Sequence, residues 1–332
     1  MIIAEAGVNH NGDIKLAEKL VDAAADAGAD AVKFQTFRAD ALATFEAPKA
    51  AYQKTTTDVR ESQLEMLRRL ELSDEGHRRV IDRCRQRGIT FLSSPFDEQS
   101  ADMLEGLGVP AFKIPSGEIT NTPFLAHVAR KGLPMIISTG MSTLKEVERA
   151  VEMVRTAGNE KFVLLHCVSN YPAEPGSINL RAMKTMETAF NCPVGYSDHT
   201  EGSEISLAAI ALGACVIEKH FTTDRTLPGP DHKASIEPHE LTAFVAAIRN
   251  VERALGTGEK VPAVSEMDTA RVARKSIVAA LDIPFGAVIT IDMLAVKRPG
   301  TGMSPGMIDA VIGKKARVGI KSGTLLTVDM FI

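Results

Sequence analysis

The sequence predicts a (β/α)8 TIM barrel followed by a small β-rich domain. Eight short runs rich in β-branched residues alternate with helix-length amphipathic segments over residues 1–256. These runs are mostly apolar rather than alternating between apolar and polar, as expected of parallel strands that helices cover. A stretch of short β-like runs and turns follows. A doubly wound open sheet is the alternative for the first region.

The predicted strands come in a regular order, and a helix candidate follows each one. The strand candidates are IIAEAGVNH (2–10), DAVKFQTF (30–37), TFLSSPF (90–96), AFKIPSG (111–117), PMIISTG (134–140), FVLLHCV (162–168), PVGYSDH (193–199) and CVIEKHF (215–221). In the first helix, Ile14, Leu20 and Ala24 recur at helical spacing, and Asp13 is the expected cap. Residues 38–73 exceed a simple loop, so we expect an insertion over the barrel mouth, with a helix at ESQLEMLRRLEL.

The predicted barrel domain spans 1–256, and 257–274 is expected to be a linker. The short β-like runs SIVAALDI, GAVIT, LAVKRPG, KARVGI and TLLTV place the β-rich domain at 275–332. A core of that size is marginal, so we expect this domain to dock on the barrel or on a second subunit.

Composition points to small-molecule chemistry. The chain has 332 residues, 24% of them charged, with a net charge of −4 and no block of Lys or Arg, which argues against nucleic-acid binding. We expect no signal peptide at MIIAEAGVNH and no membrane span, because no apolar run reaches about 18 residues. Cys84, Cys167, Cys192 and Cys215 form no CxxC pair and are expected to be reduced core thiols, which fits the cytoplasm.

Polar residues collect where the predicted strands end, which is the active-site end of a TIM barrel. They include Glu5, Lys33, Gln35, Ser94, Lys113, Ser116, Glu118, Ser138, Ser169, Tyr171, Ser197, His199 and His220. Lysines with hydroxyl groups suit a phosphate or a carboxylate. Lys33 and Lys113 interrupt apolar runs, and a buried charge without a partner is costly. A functional role is therefore favoured for both over a solvated surface charge.

Two consecutive predicted strands end in histidine, at His199 and His220. Neutral imidazole is a common metal ligand, and two ligands leave positions open for water and substrate. The alternative is a pair of hydrogen-bonded structural residues. His166 is a possible third ligand, but it precedes Cys167, where a core residue is the alternative, and it is left out of the predicted site. His77, His127 and His239 lie in predicted helices, where we expect structural roles.

Two loops carry further candidates. The rigid PGP of DRTLPGPDHK is expected to hold Asp231 over the barrel mouth, unless this loop is an ordinary surface turn. In VKRPGTG, Arg298 stands beside a proline–glycine turn. It is functional only if the small domain reaches a barrel mouth.

Taken together, these motifs resemble the sialic acid synthase family. The resemblance covers essentially the whole chain and rests on AEAGVNHNG, VKFQTF, FLSSPFD, KIPSGEITN, STGMS, LLHCVSNYP, GYSDHT, EKHFT, GPDH and VKRPGTG in order. It implies a TIM barrel with a C-terminal SAF (antifreeze-like) domain. It also implies condensation of phosphoenolpyruvate with an N-acetylated mannosamine-type sugar to a nine-carbon sugar acid, with loss of phosphate.

The resemblance further implies residue roles. His199 and His220 would bind a divalent metal, Mn²⁺ by family preference, with Mg²⁺ or Co²⁺ as alternatives. Phosphoenolpyruvate is expected at Lys33, Ser94, Lys113, Ser116, Ser138 and Ser197, with Ser169 standing where some members have asparagine. The sugar is expected near Gln35, Glu118, Tyr171 and Asp231. Glu5, Glu118 and Arg298 are the expected catalytic residues. Arg298 would reach the N-acetyl group from a partner chain, which implies a domain-swapped homodimer.

The resemblance leaves the acceptor sugar open. ESQLEML and KIPSGEITN are more similar to the legionaminic acid branch than to the N-acetylneuraminate branch, and pseudaminic acid synthase is a third choice. The first two acceptors differ at C4 and C6, and residues 38–60 are expected to discriminate between them. Members often carry residues before the first strand, which are expected to cover the bottom of the barrel. We therefore expect this chain to differ from them in the stability of the barrel floor and not in its chemistry.

Two rival functions make distinct predictions. A Schiff-base aldolase would use Lys33, Lys113 or Lys219 as the nucleophile, would be trapped with pyruvate by borohydride and would need no metal. A carbohydrate-binding or scaffold protein predicts loss of polar residues at the strand ends. Every expected polar position is filled in this sequence.

Overall fold

The computed structural model describes residues 1–58 and 60–332, and at positions 51, 52 and 55 the backbone only. Val59, which falls within the predicted 38–60 specificity segment, lies outside the described residues. The chain forms two compact units, residues 1–256 and 257–332.

The first unit is the predicted barrel, which confirms the fold class. Its strands are β1 (Ile2–Gly7), β2 (Ala31–Thr36), β3 (Thr90–Pro95), β4 (Phe112–Ile114), β5 (Met135–Ser138), β6 (Phe162–Cys167), β7 (Val194–Asp198) and β8 (Ile217–His220). All pairings are parallel, and the hydrogen-bonded order is β3-β2-β1-β8-β7-β6-β5-β4. Because β3 and β4 also lie side by side, the sheet curves into a nearly closed barrel.

Helices surround the barrel and build its mouth. They are α1 (Ile14–Asp26), α2 (Ala39–Leu42), α3 (Ala51–Thr56), α4 (Gln63–Leu70), α5 (Asp74–Arg87), α6 (Glu98–Gly106), α7 (Thr122–Arg130), α8 (Leu144–Thr156), α9 (Ala182–Phe190), α10 (Glu204–Ala211) and α11 (Pro238–Leu255). Asp13 caps α1 as predicted, since its carboxylate accepts from the Lys15 amide. The predicted insertion contains α2, α3 and α4, and Ser62 begins α4 with a capping box to Glu65.

Two hydrophobic layers define where the site can lie. The larger core fills the space between the strands and the outer helices. A smaller cluster, which includes Ile3, Leu92, Ile136, Leu165 and Val216, forms the floor inside the barrel. Successive side chains of a strand point to opposite faces of the sheet. The residue two positions after each of these floor residues therefore also points into the barrel. Above this floor the inward positions become polar, and the site begins there.

The second unit contains an antiparallel pair, β9 (Ser276–Ala279) and β10 (Leu294–Lys297), with its own apolar core. Two short helices belong to it, α12 (Met267–Ala273) and α13 (Ile308–Val311). The predicted linker is therefore partly helical. Because α12 buries no side chain, it offers no apolar stripe from which a helix could have been predicted.

Two further expectations can be compared with the described residues. Cys84, Cys167 and Cys192 are buried free thiols, but Cys215 is exposed, so it is not the core thiol that was predicted. None of the described helices combines the length and apolar composition that a membrane span requires.

Candidate active site

A cavity of about 640 Å³ opens at the carboxyl ends of the barrel strands. Its lining includes nearly all of the predicted barrel residues: Glu5, Lys33, Gln35, Ser94, Lys113, Ser116, Ser138, Ser169, Tyr171, Ser197, His199, His220 and Asp231. Residues distant in sequence meet here because parallel strands end on the same rim.

Two buried lysines form the centre of the cavity. The Lys33 Nζ lies 2.7 Å from the Glu5 Oε2 and donates to the Ser94 Oγ at 3.0 Å. The Lys113 Nζ donates to the Ser138 Oγ at 2.7 Å. Both lysines are 3% exposed, so their charges are held by partners rather than by water.

Glu218, which is not among the predicted site residues, joins the two lysines. Its carboxylate lies 3.5 Å from the Lys113 Nζ and 3.9 Å from the Lys33 Nζ, and it accepts a 2.9 Å hydrogen bond from Ser197. The two-residue period of a strand could have identified it, because Glu218 shares the inward face of β8 with His220. Lys219 points outward to Asp198, 2.9 Å away, and does not line the cavity.

The two carboxylates have different electrostatic environments. Burial raises the pKa of Glu5 to about 7, against the opposing attraction of Lys33. Burial also acts to raise the pKa of Glu218, but the ammonium groups of Lys113 and Lys33 outweigh it and lower this pKa to about 2. Glu218 is therefore the permanent counter-ion of the two lysines.

The chain is tightly packed at Gly140, next to two serines that line the cavity. The Gly140 amide donates to the Ser116 Oγ at 3.0 Å. A Cβ at this position would lie 2.3 Å from the Ser169 Oγ, 2.8 Å from the Cys167 Sγ and 2.8 Å from the Ser116 Oγ. Glycine is therefore required here, because a side chain would displace Ser116 and Ser169. The hydroxyl groups of these two serines, with the ammonium groups of the lysines, suit an anion such as a phosphate.

His199 and His220 are neighbours at the rim, with ring centroids 5.4 Å apart. The His199 Nδ1 donates to the carbonyl of Val168 at 2.7 Å, which leaves the lone pair on Nε2. The buried Nδ1 of His220 has no hydrogen-bond partner among the described residues. Burial lowers the pKa of both rings, so they are neutral, as metal ligands must be. This pair fits a divalent metal ion.

A second group of ligand-type residues lies elsewhere. Among the described residues, the one set of three or more His, Cys, Asp or Glu with ligand atoms within 4.8 Å is Glu237, His239 and Glu240. This set lies at the start of α11 and does not line the cavity.

Asp231 approaches the site from the loop after β8. It is buried, and a Cβ on Gly7 would lie 3.7 Å from its Oδ2 and 3.3 Å from both the Glu5 Oε1 and the Gln35 Nε2. These three polar side chains therefore surround the backbone of Gly7. Burial raises the pKa of Asp231 to about 6.

Glu118 is the predicted site residue of the barrel unit that the structure does not bring to the cavity. Glu118 is absent from the described lining, and its carboxylate accepts a 2.7 Å hydrogen bond from Asn121. The reason is the 3₁₀ turn Ser116–Glu118, which follows β4 and leads the chain away from the rim towards α7. Arg298 lies in the second unit, where its Nε donates to the carbonyl of Ala273 at 3.0 Å.

Comparison with known proteins adds independent information. Residues 20–260 match the NeuB family, and residues 274–332 match the SAF domain. Over 98% of its length the chain is 50% identical to N,N'-diacetyllegionaminic acid synthase of Legionella pneumophila, of which it covers 92%. It is 48% identical to the protein of the same name from Campylobacter jejuni, over 98% of both chains. The structure of N-acetylneuraminic acid synthetase from Leptospira borgpetersenii aligns with a TM-score of 0.71 and 37% identity, over 81% of this chain and 89% of that chain.

Proposed function

The chain belongs to the NeuB family, with a C-terminal SAF domain, and from this premise we propose that it is a nonulosonic acid synthase. It condenses phosphoenolpyruvate with an N-acetylated mannosamine-type sugar and releases phosphate, which makes it a transferase. The observation that carries the proposal is the layer of the cavity in which Lys33 and Lys113 stand among four serine hydroxyl groups, those of Ser94, Ser116, Ser138 and Ser197.

That layer suits a molecule with both a carboxylate and a phosphate. The two ammonium groups supply full charges, and Ser94, Ser138 and Ser197 supply hydroxyls. Ser116, which also lines the cavity, supplies a fourth hydroxyl. Held in this way, phosphoenolpyruvate would keep its C3 facing the rim, where the acceptor enters.

The reaction forms a carbon–carbon bond and a carbon–oxygen bond, and it breaks one carbon–oxygen bond. The phosphoenolpyruvate C3 attacks the aldehyde carbon of the open-chain sugar, the aldehyde oxygen takes up a proton and becomes a hydroxyl group, and a cationic centre develops at C2. Water adds at C2 and loses a proton, and the bond from C2 to the phosphate oxygen then breaks, which leaves the keto group at C2 and releases phosphate. Glu5 and Glu218 are the two buried carboxylates beside this centre, and they stabilise its positive charge.

His199 and His220 would hold a divalent metal, Mn²⁺ in our proposal. When bound, the metal supplies Lewis acidity towards the aldehyde oxygen. The Tyr171 ring lies 4.3 Å from the His199 ring and 5.5 Å from that of His220, centroid to centroid. Packing of this ring against both imidazoles orients them, and Gln35 and Asp231 are positioned to bind acceptor hydroxyl groups.

The acceptor we propose is 2,4-diacetamido-2,4,6-trideoxymannose, which gives N,N'-diacetyllegionaminate. Two relatives named for that product are 50% and 48% identical to this chain, whereas the structural relative named for N-acetylneuraminic acid is 37% identical. N-acetylmannosamine is the alternative acceptor.

The test is phosphate release from phosphoenolpyruvate, measured after chelation and again after Mn²⁺ is added back. Both acceptors are run side by side. We expect metal-dependent release, faster with the diacetamido sugar. Absence of release with both sugars, together with borohydride trapping of pyruvate, would overturn the synthase in favour of the Schiff-base aldolase. In that case Lys33 and Lys113 would be the candidate nucleophiles, because Lys219 points away from the cavity.

We also propose a domain-swapped homodimer in which Arg298 acts on the sugar bound by the other chain. Chains carrying His199→Ala and chains carrying Arg298→Ala are each expected to be inactive. Mixing them should restore part of the activity, because one site of a mixed dimer then has both groups. Native mass spectrometry would check that mixed dimers form, and mixed dimers without recovered activity would contradict the proposal.

A further inference from the structure

One side of the cavity is apolar, unlike the charged layer below it. Six side chains form this apolar wall: Phe37, Leu42, Met66, Leu67, Leu70 and Phe96. They come from the ends of β2 and β3 and from α2 and α4 of the insertion. Phe37, Met66 and Leu70 belong to a buried cluster, and Leu42, Leu67 and Phe96 pack on it while remaining half-buried. The wall is thus anchored from behind and presents apolar surface to the cavity.

The position of the wall determines which part of the acceptor it can meet. The lysines, Glu5 and the histidine pair lie at or below the strand ends, so the reacting aldehyde carbon belongs there. The wall lies further out, because its α2 and α4 residues come from the insertion. A sugar held with its aldehyde carbon at the lysines and histidines would direct its far end, C4 to C6, towards the wall.

The chemistry of that space discriminates between acceptors. A hydroxyl group buried against the wall loses water and gains no hydrogen bond from these six side chains, which is costly. A methyl group in the same place gains from burial. Gln53 and Gln63 also line the cavity, and an amide side chain offers a donor and an acceptor to an acetamido group.

We propose that the apolar wall selects a 6-deoxy acceptor by packing on its C6 methyl group, and that Leu67 is a specificity-determining residue. This inference rests on the proposed function. Leu67 is the best test position, because it lines the cavity yet is only half-buried on α4, so a polar replacement leaves the buried cluster intact.

The test compares kcat/KM for the 6-deoxy diacetamido acceptor with kcat/KM for N-acetylmannosamine. Leu67→Gln is expected to lower this ratio at least about tenfold, within the range for one methyl group in an apolar pocket. The KM for phosphoenolpyruvate should stay unchanged. Leu67→Met is the matched control, because it keeps the volume and apolar character of leucine and should leave the ratio within about twofold.

Leu42→Gln on α2 repeats the test from a second element if Leu67→Gln does not fold. An unchanged ratio in a folded glutamine variant, or an equal fall in Leu67→Met, would overturn the role of the wall. Absence of activity with both acceptors in the unaltered protein would instead count against the synthase itself. The two failures are therefore distinguishable.

Discussion

Replacing Glu218 by glutamine is expected to lower kcat by about a hundredfold to a thousandfold and to destabilise the barrel by about 3–5 kcal/mol. The catalytic loss follows because Glu218, with its lowered pKa, is the permanently charged one of the two carboxyl groups beside the carbon that becomes cationic in the proposed reaction. The stability loss follows because Lys33 and Lys113 both lie within 4.0 Å of this carboxylate. Among the described residues, glutamine would leave Lys33 paired with Glu5 alone and would leave Lys113 without a carboxylate within ion-pair distance.

The test measures kcat and the free energy of unfolding, by heat or urea, for each variant and for the unaltered protein. Glu18→Gln is the matched control, because Glu18 pairs with Arg79 on the outer surface and should change stability by less than about 1 kcal/mol. Glu218→Gln combined with Lys113→Met removes both partners of one pair. It should recover most of the lost stability but none of the activity. Unaltered stability in Glu218→Gln would contradict the role of Glu218 as counter-ion. Recovered activity in the Glu218→Gln, Lys113→Met double variant would contradict its role in catalysis.

The sequence predicted the barrel well because its strands carry a simple signal. Each is a short apolar run, and polar residues are concentrated where the runs end. That signal predicted the strands in order and the gathering of Lys33, Lys113, His199 and His220 on one rim, as the structure has them. It did not identify Glu218, because a charged residue within EKH, taken alone, can point either way. The predicted inward direction of His220 settles this through the two-residue period of a strand, which places Glu218 inward and Lys219 outward, as the structure has them.

The departures from prediction arise where the chain leaves regular structure. Glu118 was grouped with Ser116 because both follow β4, but the intervening turn directs only Ser116 into the cavity. The insertion after β2 was predicted from its length alone. Its apolar wall depends on how α2 and α4 pack against Phe37 and Phe96, and those contacts are between segments distant in the sequence.

Replacing either rim histidine by alanine is expected to abolish tight binding of one Mn²⁺ per chain and to reduce turnover at least about a thousandfold. The two imidazoles are the protein ligands of the proposed site, so a single one cannot hold the ion firmly. Because each ring is neutral and lines the cavity, its removal leaves no unpaired charge, and the unfolding temperature of the metal-free protein should move little. Isothermal titration with Mn²⁺ measures binding directly, and differential scanning calorimetry checks the fold.

His239→Ala is the informative control, since His239 belongs to the one described three-residue ligand set, with Glu237 and Glu240. That set is partly exposed and lies away from the two lysines, where an ion could not act on the proposed aldehyde. We therefore expect His239→Ala to bind Mn²⁺ as tightly as the unaltered protein does. His199→Ala and His220→Ala are expected to lose this tight binding. The reverse pattern would move the metal site to α11. It would leave His199 and His220 with a structural role, and the aldehyde would then have to be activated by the lysines.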